Sequence, residues 1–163
     1  MKIALFILAT CLVGHAQSAS QPATEVSLEQ LQKNPEQYSG KRVLVTGYWI
    51  QGFEWSYLKA DLQKNPDSYI WLESWNLPGS SHRVDTQVIQ ASVENAYLAA
   101  KEETRRSSSC FLIKCIGYFE HVDAHGNHGG FMGGFGHLNG YPSQLVLERI
   151  LEIHFVPEYK EGR

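Results

Sequence analysis

The sequence has few cysteines and one long apolar run, which lies at its start. The 163 residues include three cysteines. Cys11 lies in that run, and Cys110 and Cys115 are the two cysteines outside it. These two lie in a segment of β-strand composition, where their Cα atoms would be about 16 Å apart on opposite faces. A disulfide spans at most about 7 Å between Cα atoms. The sequence therefore predicts two free thiols and a domain that needs no covalent staple.

Positive charge and catalytic motifs are also scarce. The chain has 14 Lys and Arg against 17 Asp and Glu, which argues against nucleic acid as a partner, because non-specific affinity for phosphates comes from Lys and Arg. No Gly-x-Ser-x-Gly elbow occurs, and the glycine-rich residues 129–136 lack the Gly-Lys-Ser/Thr ending of a phosphate loop. We predict that the chain is not an enzyme.

The N-terminus has the layout of a secretory signal peptide. Lys2 precedes a short apolar run, and small residues follow it. We assign residues 1–18 to this signal and predict a periplasmic or secreted protein with no membrane span, since no stretch is long and apolar enough. Thr10 before Cys11 does not fit a lipid-anchored signal. The candidate cleavage sites follow Ala16, Ser18 and Ala19.

Hydrophobic periodicity divides the remaining chain into a leader, a domain and a tail. Residues 19–26 are predicted to be a flexible leader, residues 27–157 the folded domain and residues 158–163 a polar tail. Ser27 and Gln30 have the spacing of a capping box at the start of a short helix. Strands are predicted at residues 41–50, 53–58, 69–73, 110–122 and 144–155, and a second helix at residues 92–106.

Alternation within these strands predicts which side chains face the core. Gly47, in the middle of the first strand, indicates a bend or a close approach of another segment. The last strand places four apolar residues on one face, namely Leu145, Leu147, Leu151 and Ile153.

The order of these elements predicts a mainly β protein. Three strands, a helix and two strands, preceded by a short helix, match the five-stranded Greek-key barrel of the oligonucleotide/oligosaccharide-binding (OB) fold, with a helix between strands 3 and 4. The chain also resembles small exported bacterial proteins of OB type, in the Asn-Pro-x-x-Tyr end of its first helix and in residues 39–48 and 69–72. This resemblance covers residues 27–155 and implies the fold. That family has no agreed activity, so it implies no catalytic residues.

Aromatic side chains crowd the first three predicted strands, which form the usual ligand face of OB folds. Aromatic rings there stack on sugars and bases. Trp49 and Trp71 are assigned to the core, and Trp55, Tyr57 and Trp75 are the candidate ligand-binding residues. We predict a non-enzymatic binding module for a small ligand, a glycan or an exported protein. The alternative is a structural or accessory domain of an envelope assembly.

Histidines are concentrated between residues 120 and 137. His121, His125, His128 and His137 offer nitrogen ligands for Zn²⁺ or Cu²⁺. Their spacing matches no fixed metal motif, and the glycine-rich backbone must lose conformational entropy before they converge. We predict weak metal binding at most and no dedicated cofactor. The other interpretation is a solvated hairpin between the last two strands.

Overall fold

The fold is described from a computed structural model of the chain. The structure describes residues 21–63, 69–75, 82–100, 109–122, 134–136, 140–157 and 159. In this part of the chain, six strands form one mixed sheet and three helices accompany it. The prediction of a mainly β protein is confirmed. The predicted signal peptide lies outside the described residues, and none of the described helices has the length and apolar character needed to cross a membrane.

Short elements come first in the chain, and the longest strands come last. From the N-terminus, the described elements are β1 (Thr24–Glu25), α1 (Leu28–Lys33), α2 (Pro35–Tyr38), β2 (Lys41–Gln51), β3 (Ser56–Lys59), β4 (Ile70–Glu73), α3 (Thr86–Ala99), β5 (Ser109–His121) and β6 (Ser143–Phe155).

Strand β2 has neighbours on both sides. One edge pairs along its whole length with β5 in antiparallel orientation, and the other edge pairs first with β1, in parallel, and then with β3, antiparallel. From β3 the pairing continues to β4 antiparallel, to β6 parallel and to β5 antiparallel, and β5 returns to β2. Helix α3 follows β4 in the chain and packs against β6.

Two hydrophobic clusters lie on opposite faces of β2. The main core joins alternate strand residues to α1 and α3, and Trp49 is fully buried within it, as predicted. Its other largest buried members include Phe111, Phe119, Leu28 and Leu31. The second cluster is centred on Ile50, Tyr57 and Cys110. Cys115 lies in the main core, so the two cysteines are free, buried and separated by the sheet, as predicted.

Gly47 lies where α1 crosses β2. A Cβ at Gly47 would come within 2.4 Å of Leu28 Cδ1 and 3.0 Å of the Lys59 carbonyl oxygen. This close approach is the one that a mid-strand glycine predicts. Leu28 is held there because α1 begins at the capping box, in which Ser27 and Gln30 exchange hydrogen bonds of 3.0 and 3.1 Å.

Part of the predicted flexible leader is a short strand instead. Thr24 and Glu25 pair with Val43 and Leu44, and Val26 is buried. The backbone N–H of Val26 also donates to the Leu44 carbonyl at 3.0 Å. The physical reason is the free edge of β2 before β3 begins, whose backbone groups need hydrogen-bond partners.

The predicted alternation of the last strand is wrong near its middle. Leu151, predicted to face the core, is 44% exposed, whereas Ile150 packs against the core. Two register shifts between β5 and β6 interrupt the period of two, so the side chains between the shifts change face. The second shift restores the alternation, and Ile153 packs against the core as predicted. Leu145 and Leu147 precede the shifts and are buried as predicted.

Helix α3 begins six residues before the predicted start at residue 92. Asp85 is its N-cap, and the carboxylate accepts a hydrogen bond from the Val88 backbone N–H at 3.2 Å. This cap starts the helix at Thr86 because it satisfies a donor that the first turn leaves free. Residues 101–106 of the predicted helix lie outside the described residues.

Candidate functional site

A cleft of about 450 Å³ lies beside the turn between β2 and β3 and the end of β4. Four aromatic side chains and two carboxylates are among its lining residues, namely Phe53, Trp55, Trp71, Trp75, Glu54 and Glu73. We call this site the aromatic cleft. Its volume lies within the range of about 300–1,000 Å³ that small-molecule sites occupy.

Glu73 is the buried carboxylate of the aromatic cleft, with 2% of its surface exposed. Alternation along β4 places Ile70 and Leu72 in the main core and therefore Trp71 and Glu73 on the opposite face. Glu73 Oε2 accepts a hydrogen bond from Trp71 Nε1 at 3.3 Å, and Oε1 accepts one from the Trp75 backbone N–H at 2.8 Å. The two bonds fix the carboxylate between two tryptophans.

The surroundings of Glu73 make its ionisation less favourable than that of an exposed carboxyl group. Burial raises the pKa of this carboxyl above its ordinary value of 4.5, although the hydrogen bonds from the Trp75 backbone and the Trp71 indole oppose the shift. Within the described residues, no Lys, Arg or His side chain forms an ion pair with it. A buried charge without a counter-ion is costly, so burial opposes ionisation of Glu73 and the two hydrogen bonds offset part of that cost.

Trp55 forms one wall of the aromatic cleft, in the turn that joins β2 to β3. The turn is closed by a hydrogen bond of 2.8 Å from the Gly52 N–H to the Trp55 carbonyl. The indole lies directly on Gly52, where a Cβ would be 2.2 Å from Trp55 Cε2. Among the described residues, Trp55 Nε1 is a buried donor without a hydrogen-bond partner.

Trp71 is buried, with 8% exposed, as predicted for a core residue, and it also lines the aromatic cleft. The Tyr141 ring packs at 5.1 Å from the indole. Gly136 lies against the same indole with φ of 73°, and a Cβ there would be 2.4 Å from Trp71 Cδ2. Backbone hydrogen bonds of 2.7 and 3.1 Å between Phe135 and Tyr141 hold Gly136 in this position.

The three predicted ligand-binding residues have different positions. Trp55 and Trp75 both line the aromatic cleft, and Trp75 is 58% exposed. Tyr57 is only 8% exposed, and its ring lies 4.5 Å from that of Tyr69. Tyr57 is therefore not among the lining residues of the aromatic cleft, because the Tyr69 ring packs against it and Trp71 is its cross-strand partner.

Sequence reasoning missed Glu73 and the fully exposed ring of Phe53, which is 92% accessible. The signal for Glu73 is the alternation Trp71-x-Glu73-x-Trp75, which places the three side chains of an extended segment on one face. That pattern sets a carboxylate between two tryptophans, but it does not indicate that the carboxylate is buried.

The four candidate metal ligands are not brought together in the described structure. His121 ends β5, where Nδ1 lies 2.9 Å from Ser143 Oγ and the backbone N–H donates to Ser39 Oγ at 3.2 Å. The other three, His125, His128 and His137, lie outside the described residues. In the part of the chain that is described, no three His, Cys, Asp or Glu side chains are placed to hold a metal ion. Weak Zn²⁺ or Cu²⁺ binding stays a prediction.

Comparison with known proteins reveals no relative: no family model, no curated protein and no solved structure matches the chain. Function is therefore inferred from the residues of the aromatic cleft.

Proposed function

We propose that this chain is an exported, non-enzymatic binding module of OB type that holds a small ligand in the aromatic cleft. The observation that carries the proposal is Glu73, buried in a cleft between the tryptophans Trp71 and Trp75. Small-molecule sites are built in this way, with mostly apolar walls and few polar groups that orient the ligand. The rings supply contact area, and the carboxylate supplies a directional acceptor.

The OB-type barrel in this proposal is supported by the order of strand pairing. Pairing leads from β2 through β3, β4, β6 and β5 back to β2, and α3 lies between β4 and β5 in the chain. The aromatic cleft involves the first three of these five strands and the turn between two of them, which is the side that OB folds use for ligands.

Export is supported by the signal-like layout of residues 1–18. Expression of the full chain in a bacterium, followed by mass spectrometry of the periplasmic and secreted fractions, tests this part. We expect a mature N-terminus after Ala16, Ser18 or Ala19. An intact N-terminus in the cytoplasmic fraction would contradict export.

Calorimetric titration with a panel of sugars, amines and small acids tests ligand binding. We expect at least one class to bind the wild type and to bind Trp75→Ala about tenfold more weakly, because that ring is exposed at the cleft. Leu98→Ala, which truncates an exposed residue of α3, is the matched control and keeps full affinity. If no compound of the panel gives a binding heat, the small-ligand proposal is contradicted.

Docking of another exported protein is the second candidate, as in the accessory domain of an envelope assembly. It is favoured by Phe53 and Trp75, which both line the cleft and are 92% and 58% exposed. Exposed aromatic rings are enriched at protein interfaces. Cross-linking in the native compartment should then yield one partner that is lost in Phe53→Ala. An unchanged cross-linking pattern in that variant would contradict docking at this rim.

A further inference from the structure

The aromatic cleft carries negative charge and no described positive charge. Glu73 and the exposed Glu54 both line it, whereas no Lys or Arg of the described residues contributes to its lining. The faces of aromatic rings are also electrically negative because of their quadrupole. The carboxylates and the ring faces therefore attract the same kind of ligand group, a cation, and repel anions.

Two polar groups in the lining of the aromatic cleft, Ser56 and Glu73, already form hydrogen bonds within the protein. Ser56 Oγ accepts from Trp49 Nε1 at 3.0 Å and donates to the Leu72 carbonyl at 2.7 Å, so its donor is already used. Each oxygen of Glu73 accepts one internal hydrogen bond. A primary ammonium needs three acceptors, whereas a quaternary ammonium needs none and is stabilised by ring faces.

We propose that the aromatic cleft binds a small quaternary or methylated ammonium group, with Trp71, Trp75 and Trp55 around the cation and Glu73 as its counter-ion. This inference rests on the proposed function and specifies its ligand class. It explains why a buried carboxylate is kept among tryptophans without an ion-pair partner in the described chain. A bound cation supplies the charge compensation that burial demands.

The test compares choline with dimethylbutanol, the neutral isostere in which carbon replaces the quaternary nitrogen. Calorimetric titration of the full-length mature protein should show choline binding at least about tenfold more tightly than the isostere, since only choline gains from cation–π and ionic contacts. Glu73→Gln should reduce this preference, since it removes the ionic contact and keeps the cation–π contacts, and it should leave the weak affinity for the isostere unchanged. Glu152→Gln, an exposed residue on β6, is the matched control and keeps the preference.

A measurement on the wild type keeps the test independent of how Glu73→Gln folds. Choline affinity should fall as the pH is lowered and Glu73 takes up a proton, whereas isostere affinity stays constant. Equal affinity for choline and the isostere at neutral pH would overturn the inference. Binding of neutral methyl glycosides without choline would overturn the inference and leave the proposed function intact. Binding of no probe in the whole panel would overturn both.

Discussion

At the scale of single residues, two glutamates show how burial and pairing move a carboxyl group in opposite directions. Burial raises the pKa of Glu73. The pKa of Glu148 is lowered, first of all because Arg42 donates to both of its oxygens, with Nε–Oε2 at 2.6 Å and Nη2–Oε1 at 2.7 Å. Ionisation therefore opposes folding at Glu73 and favours folding at Glu148.

The raised pKa of Glu73 predicts how stability depends on pH. Because the folded state holds this proton more tightly than the unfolded state, the contribution of Glu73 to stability is full below pH 4.5 and is lost as pH rises through the higher folded-state pKa. Glu73→Gln should remove this loss. Urea unfolding from about pH 4 to about pH 8 measures the slopes.

Glu152→Gln provides the control for that measurement, because it removes an exposed carboxylate from β6. Its stability should change with pH in parallel to the wild type. The prediction is wrong if the free energy of unfolding of Glu73→Gln also changes with pH in parallel to that of the wild type over the whole pH range.

Ser56 connects Trp49 to the backbone of β4, and we expect Ser56→Ala to destabilise the fold by about 1–3 kcal/mol. The substitution leaves Trp49 Nε1 buried without an acceptor and the Leu72 carbonyl without this donor. Ser92→Ala on α3 is the control, since that hydroxyl donates only to the Val88 carbonyl one turn earlier. Its cost should stay within about 0.5 kcal/mol in the same chemical unfolding experiment. Equal destabilisation by Ser56→Ala and Ser92→Ala would contradict a stabilising role of the buried hydrogen bonds that Ser56 forms with Trp49 and Leu72.

At the scale of elements, β5 and β6 show where side-chain alternation predicts a strand and where it does not. Alternate residues of β5 from Phe111 to Phe119 are buried, with no interruption on that strand. On β6 the two register shifts make Leu151 exposed and bring Ile150 to the core. A register shift depends on the partner strand, so the sequence of β6 by itself does not contain it.

Gly117 lies at one of these register shifts. A Cβ there would be 2.5 Å from the Val146 carbonyl oxygen, which is backbone and cannot move aside cheaply. We expect Gly117→Ala to destabilise the protein by about 1–3 kcal/mol, as other overpacked sites do. Thr46→Ala, at an exposed position of β2, should cost less than about 1 kcal/mol. Unfolding in urea compares the two, and a neutral Gly117→Ala would show that the strands separate freely at the shift.

At the scale of the whole molecule, the candidate site is assembled from segments that are distant in the chain. The predicted residues Trp55 and Trp75 reach the aromatic cleft because local turns place them there. The burial of Glu73 depends on how the strands pair. The close packing of Gly136 against Trp71 depends on the β-bridge between Phe135 and Tyr141. The local sequence pattern therefore predicts the aromatic residues of the site. The burial of the Glu73 carboxyl group depends on strand pairing between distant segments.

The two buried thiols report on opening of the whole molecule. Burial raises the pKa of Cys110 and of Cys115 to about 12, so at neutral pH the reactive thiolate is almost absent in the folded state. We expect a chain that begins at residue 21 to show no reaction with a thiol reagent when native and two reacting thiols after denaturation without reductant. Fewer than two would indicate a disulfide and contradict the free cysteines.

The rate of thiol labelling separates local from global opening. Cys110 lies in the small second cluster and Cys115 in the main core, on opposite faces of the sheet. In Cys110→Ala only Cys115 can react, and in Cys115→Ala only Cys110 can react. If both thiols are exposed only by global unfolding, the labelling rates of the two variants should rise equally steeply with denaturant concentration. A faster, denaturant-independent reaction of Cys110 would show that the second cluster opens by itself. That cluster also packs against Trp55, so such opening would loosen the aromatic cleft while the main core stayed folded.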